Sequence, residues 1–188
     1  MCHFISGIIN NDFDLNDLNN IGTNFGITFK ECDNLYVKSQ IDKKEIYLIK
    51  NTNCCDCGTE LGMLLRIKHF DENRPNKKEI DKLKKKGWSD FKIQRYIDEK
   101  NKTEKRNENI YENYKKQNHS DAENWNNFIN ELFLNTKIKL FGLMLHWYKG
   151  GLTNERINIS EKIKLNIAEL KTETLLEIKE DTVYYIER

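Results

Sequence analysis

Strand-like runs occupy the two ends of this sequence and helix-like runs its middle, and that segregation limits the fold more than any other feature. Strands from both ends can meet in one sheet while the helices between them gather on a face of it, which is an α+β arrangement rather than an alternating βαβ one. The expectation is a single α+β domain over residues 1–188, with a mostly antiparallel sheet from both chain ends and a helical insertion over residues 66–135.

Within the first part, His3 to Ile9, Gly26 to Phe29, Leu35 to Val37 and Glu45 to Ile49 carry strand signals. Turn formers separate the later ones at Cys32-Asp33-Asn34 and Asp42-Lys43-Lys44. Asp12 to Asn20, with Phe13, Leu15 and Leu18, reads as a short helix. Near the other end, Ile138 to Lys149 is apolar on both faces around Phe141-Gly142-Leu143-Met144-Leu145, the pattern of a central strand. Arg156 to Ile159, Ile163 to Ile167, Leu175 to Ile178 and Thr182 to Ile186 follow as short strands, the last two joined through Lys179-Glu180-Asp181.

Between these ends, Ser120 with Glu123 forms a capping box, and Trp125, Phe128, Ile129, Leu132 and Phe133 recur at helical spacing, a stripe that predicts packing on the sheet. The preceding stretch, Arg66 to Asn118, is dominated by charge. There Asn76 and Glu79 open a helix that Gly87 closes, and Ser89 caps the next one with Trp88 and Ile93 at staple spacing. Asp98 to Gln117 is almost wholly polar, marked only by Ile110, Tyr111 and Tyr114, and His69 and His119 fall at exposed ends of elements.

Charge excludes some functions. Lysine plus arginine, 31, nearly cancels aspartate plus glutamate, 30, so nothing draws the chain generally to nucleic acid or an anionic membrane. Lys82, Lys84, Lys85 and Lys86 are interleaved with Glu79, Asp81, Asp90, Asp98 and Glu99, so no sustained basic face forms, and the charged helices suit a protein partner better than DNA. The longest apolar run, Phe141 to Tyr148, is too short to span a bilayer, and the N-terminus lacks the pattern of a signal peptide. A cytoplasmic location follows as the expectation, in which five cysteines argue for thiols or a metal site rather than disulfides.

Three of those cysteines fall in Asn53-Cys54-Cys55-Asp56-Cys57-Gly58-Thr59, between the Glu45 to Ile49 strand and an apolar helix beginning Glu60-Leu61-Gly62-Met63. A turn over Asp56 and Gly58 brings amide N–H groups together and sets thiols near the positive end of a helix, where thiolates are favoured. Cys2 joins them if the first strand and the Ile46 to Ile49 strand share a sheet. The resulting expectation is a zinc site with Cys2, Cys55 and Cys57 as thiolates and His3 or His146 as fourth ligand. An extended Cys-X-Cys backbone holds its sulfurs too far apart, so the turn must bend sharply. His146 shares a face with Met144 and Tyr148, and reads as a core histidine with one hydrogen bond, as a ligand, or as a base to a nearby thiolate. Cys32 is isolated and should be structural and remote.

Two other readings use the same residues. Removal of Met1 gives Cys2 a free α-amine with a pKa of about 7.7 to 8.0, able to act as base to its own thiol as a catalytic nucleophile, with the amides of Cys57 to Thr59 as oxyanion hole. A noncatalytic interaction protein uses the cysteines only for packing and displays its charged helices to a partner.

Met1-Cys2-His3-Phe4-Ile5, Cys55-Asp56-Cys57-Gly58-Thr59-Glu60-Leu61-Gly62, Lys86-Gly87-Trp88-Ser89 and Leu145-His146-Trp147-Tyr148 together resemble the landmarks of a family of small bacterial proteins with no assigned activity. That resemblance implies that the patches belong to one design. The Met-Cys start on an apolar strand is also similar to the class II glutamine amidotransferase type of N-terminal-nucleophile hydrolase, which implies a nucleophilic role for Cys2. The arginine-threonine and asparagine-glycine motifs of those enzymes are not recognisable in this chain, so the similarity reaches Cys2 alone.

Overall fold

The structure, a computed structural model, describes residues 2–51, 55–62, 77–116 and 120–188, with some side chains between 104 and 116 left undescribed. Cys54, the part of the expected Glu60 helix from Met63 onward, His69, Asn76, His119 and the side chains of Ile110, Tyr111 and Tyr114 lie outside the described residues. In chain order the elements are β1 (Cys2–Asn10), α1 (Leu15–Thr23), β2 (Phe29–Glu31), α2 (Leu35–Lys38), β3 (Glu45–Lys50) and a 3-10 turn (Asp56–Gly58). There follow α3 (Lys77–Lys85), α4 (Asp90–Lys116), α5 (Ser120–Asn135), β4 (Leu140–Tyr148), β5 (Glu161–Asn166), a second 3-10 turn (Ile167–Glu169), α6 (Thr172–Leu176) and β6 (Thr182–Glu187). They form two compact units, one of residues 1–63 and 119–188 and one of residues 64–118.

The first unit is an α+β structure on a six-stranded sheet of order β2-β3-β1-β4-β6-β5. Every neighbouring pair is antiparallel except β5 with β6, so strands from both chain ends do meet in one mostly antiparallel sheet. The middle strands β1 and β4 are the ones whose sequences are apolar on both faces, and Ile5, Ile8, Ile9, Phe141, Leu143, Met144 and Leu145 are fully buried. On one face lies α5, whose stripe of Trp125, Phe128, Ile129, Leu132 and Phe133 is buried as its spacing predicts. Its aromatic rings interlock edge to face with the sheet, Phe128 standing 5.9 Å from both Trp125 and Phe141. The opposite face carries Ile8, Tyr47, Ile49, Met144, Tyr148, Val183 and Tyr185, covered by Val37, Ile41 and Ile157. There the Tyr47 and Tyr148 hydroxyls bond at 2.8 Å, and burial pushes the Tyr47 phenol up to about 12.

Three expected strands are absent, each for a local reason. Leu35 to Val37 begins α2, because the Asn34 side chain caps the Tyr36 and Val37 amides and donates to Leu152 and Glu155 carbonyls. At Arg156 to Ile159 no ladder forms. Instead the Gln40 side chain donates to the Ile157 carbonyl and accepts from the Ile159 amide, both at 2.8 Å, standing in for a neighbouring strand. Leu175 to Ile178 overlaps α6, so β6 is not a hairpin partner there but runs parallel to β5 after a crossover through the second 3-10 turn and α6.

The second unit contains α3 and α4. Gly87 closes α3 with φ +77°, a left-handed position that favours glycine, and the Gly87 and Trp88 amides return to the Lys84 and Leu83 carbonyls. Ser89 then accepts from the Lys92 amide at the start of α4. The two helices are tied by polar and aromatic contacts: the Tyr96 hydroxyl donates to Glu79 at 2.7 Å, and Trp88 meets the Tyr96 ring.

Because Phe128 is fully buried among Phe29, Trp125 and Phe141, replacing it leaves a cavity between α5 and the sheet. Phe128→Ala is expected to lower the urea-unfolding free energy by about 3–5 kcal/mol, where a mobile α5–sheet contact would give under about 1 kcal/mol.

Candidate metal centre

The site begins with unequal strand lengths. β4 pairs with β1 from Cys2 to Ile9, whereas β3 pairs with it only from Ser6 to Asn10. In an antiparallel strand alternate amides face each neighbour, so beyond Ser6 the His3 and Ile5 N–H groups lose their β3 carbonyls. The 3-10 turn replaces them. The Ile5 amide donates to Asp56 Oδ2 at 2.8 Å and the His3 amide to Cys57 Sγ at 3.1 Å.

Asp56 is 1% exposed, and its second oxygen bonds Lys50 Nζ at 2.6 Å. Lys50 ends β3, so one carboxylate ties the open edge of β1 to the end of its neighbour. The turn around it is tight: the Thr59 amide and hydroxyl both return to the Asp56 carbonyl, at 3.0 and 2.8 Å. Gly62 is required by a close approach, since a Cβ there would stand 2.0 Å from that same carbonyl oxygen. Beyond the turn, the Glu60 amide donates to Asp121 and the Ala122 amide to Glu60, so the start of α5 and the segment after the turn satisfy one another's free amides. Burial raises the Asp121 carboxyl, opposed by the Lys50 charge.

With Asp56 turned inward, its two neighbours in sequence turn toward Cys2. The Sγ atoms of Cys2, Cys55 and Cys57 all lie within 4.8 Å of one another, each thiol half-buried. The sharp bend that Cys-X-Cys spacing demands is supplied by the passage from extended Cys55, at φ −73° and ψ 164°, into the 3-10 turn. Around the sulfurs the fields differ. The Cys57 backbone amide, then the Cys2 side chain, draw the Cys55 thiol below its ordinary range. Burial pushes Cys57 up, opposed by the His3 amide. Soft donors at this spacing can hold a metal ion. In a tetrahedral thiolate site with metal–sulfur bonds of about 2.3 Å the sulfurs stand about 3.8 Å apart, a spacing inside the 4.8 Å that bounds these three.

The histidines lie elsewhere. His3 is buried with its ring 4.4 Å from Trp147, on the face of β1 opposite the one Cys2 occupies. His146 does share the Cys2 face, pairing across from Phe4 while Cys2 pairs with Tyr148. Its Nδ1, however, stands 2.5 Å from Asp181 Oδ1 and 4.0 Å from Glu180 Oε1, and those carboxylates, not the thiols, are grouped with it. Cys32 is buried in the apolar layer with its thiol donating to the Leu152 carbonyl at 3.6 Å, a packing role as expected, and burial raises its pKa. Of the amides suggested as an oxyanion hole, that of Thr59 is already bonded to Asp56.

Glu180 and Asp181 were legible only as a turn. What makes them neighbours of His146 is the β4–β6 pairing, which sets the residues entering β6 beside the end of β4, and no local spacing reveals it. No family model, curated protein or solved structure matches this chain.

The Lys50–Asp56 pair yields a direct test. Asp56→Ala strands the Lys50 ammonium and the Ile5 amide together, and is expected to lower unfolding free energy by about 3–5 kcal/mol. Adding Lys50→Met should recover a substantial part of that loss in a double-mutant cycle, and purely additive losses would refute the coupling.

Proposed function

We propose that this is a thiolate metal-binding protein whose centre takes zinc through Cys2, Cys55 and Cys57. The observation that carries the reading is the convergence of three sulfurs, from two segments more than fifty residues apart, on an edge of the sheet built by hydrogen bonds to Asp56 and Cys57. Buried cysteines that serve only packing need no such convergence, and Cys32 supplies the contrast within the same chain.

Softness argues for the ion. Thiolates favour zinc, Cu(I) and iron–sulfur centres over magnesium or calcium, and a redox-inert tetrahedral ion asks least of the ligand geometry. The amide directed at Cys55 favours its sulfur in the anionic form that binds metal, whereas at Cys57 burial outweighs the His3 amide. Three protein thiolates leave one position on a tetrahedral ion for a further ligand. The sequence offered His146 for that place; its Nδ1 hydrogen bond to Asp181 favours a separate role, so an exogenous donor or water suits the fourth position better.

Native mass spectrometry of the full chain tests this. The expected result is about one zinc per chain, removed by a strong chelator with a fall in thermal midpoint, since metal binding adds to folding free energy. Cys57→Ser should lose the zinc while leaving the α3–α4 unit folded. A metal-free protein with no thermal response to chelator would overturn the proposal, and selective alkylation of Cys2 in that protein would replace it with the nucleophile reading.

A further inference from the structure

A second group of side chains of the metal-ligand type gathers at the end of β4, around His146 on the sheet face that Cys2 shares. The Asp181 amide donates to the Leu145 carbonyl at 3.0 Å, and Glu180 bridges Leu145 as a parallel partner. The Glu180 carboxylate accepts from the Trp147 amide at 2.8 Å, and the Ser160 amide and hydroxyl both hold the Asp181 carbonyl. These bonds press two carboxylates against His146, which is 7% exposed. Its Nδ1 faces them at 2.5 and 4.0 Å, while its Nε2 is buried with no hydrogen-bond partner among the described residues.

We propose that His146, Glu180 and Asp181 bind a divalent cation harder than zinc, such as Mn2+ or Fe2+, at a site distinct from the thiol centre. A neutral imidazole has one proton for two ring nitrogens. With that proton on Nδ1, the ring donates to Asp181 and leaves a buried Nε2 lone pair facing no donor, which is costly. With a cation at Nδ1, the lone pair there is used and the proton moves to Nε2. The Tyr148 ring is an edge-to-face neighbour of the imidazole, 4.6 Å away at 84°. The cation also neutralises two adjacent carboxylates.

Geometry agrees. One ligand atom from each residue lies within 4.8 Å of the others, and the separations of 2.5 and 4.0 Å bracket the edge of about 3.0 Å expected for an octahedral ion with bonds near 2.1 Å. Glu180 and Asp181 are 19% and 32% exposed at their side chains, so water can reach the remaining positions. One imidazole and two carboxylates select differently from three thiolates, so the two sites sort ions by softness.

Cobalt(II) distinguishes the sites, because thiolate ligation adds intense sulfur-to-cobalt charge transfer and nitrogen–oxygen ligation gives only weak d–d bands. In the full chain carrying Cys55→Ser and Cys57→Ser, about one equivalent of Co2+ should bind without charge transfer. Asp181→Asn and Glu180→Gln should each weaken that binding at least about tenfold, with thermal midpoints in chelator unchanged, since asparagine tolerates the left-handed backbone at position 181. If the double serine variant does not fold, the same losses are read in the otherwise unaltered chain as the cobalt fraction lacking charge transfer. No cobalt of that kind, or binding indifferent to both carboxylate changes, would overturn the site. Loss of the charge-transfer band alone would count against the thiol centre and leave this one standing.

Discussion

The arrangement at the cysteine edge depends on the Asp56 carboxylate. β1 outruns β3 by the length from Cys2 to Ile5, and an unpaired strand edge inside a folded layer leaves N–H groups without acceptors. Asp56 supplies one acceptor and matches its own buried charge with Lys50, whose ammonium also lies 5.8 Å from the Trp125 ring. A buried ion pair costs desolvation that hydrogen bonds must offset, and here the backbone amide of Ile5 supplies one. The inward turn of Asp56 has a geometric consequence for its sequence neighbours. Cys55 and Cys57 are left on the outer side of the turn, where Cys2 ends the same strand edge.

Much of this architecture was readable from periodicity. The double-sided apolar run of β4 marked a central strand, and the Trp125 to Phe133 stripe marked a helix on the sheet, because burial on a face imposes its repeat directly on the sequence. The short elements were misread where a single polar side chain outweighed propensity. Asn34 caps Leu35 to Val37 into a helical turn, and Gln40 satisfies Ile157 and Ile159 without a strand. The Asn34 cap is local, but the bonds from Gln40 and those that fix Asn34 to Leu152 and Glu155 join residues more than a hundred positions apart and leave no local pattern.

The site divides in the same way. Proximity of Cys2 to the Cys55 and Cys57 loop followed from placing two strands in one sheet, and the required bend appears as a 3-10 turn. The partnership of His146 with Glu180 and Asp181 did not follow, because it arises from the register of β6 against β4 and from the Asp181 backbone at φ 55°. The consequence is chemical separation on one sheet face: sulfur donors gather at the β1 end, and an imidazole with two carboxylates gathers two residues along β4 from the partner of Cys2.

X-ray absorption at the zinc edge, on protein purified without added chelator, tests the central claim most directly. A first shell containing about three sulfurs at about 2.3 Å is the predicted result, with that sulfur count falling in Cys57→Ser. A zinc shell made only of nitrogen and oxygen, unchanged by the loss of Cys57, would contradict the account.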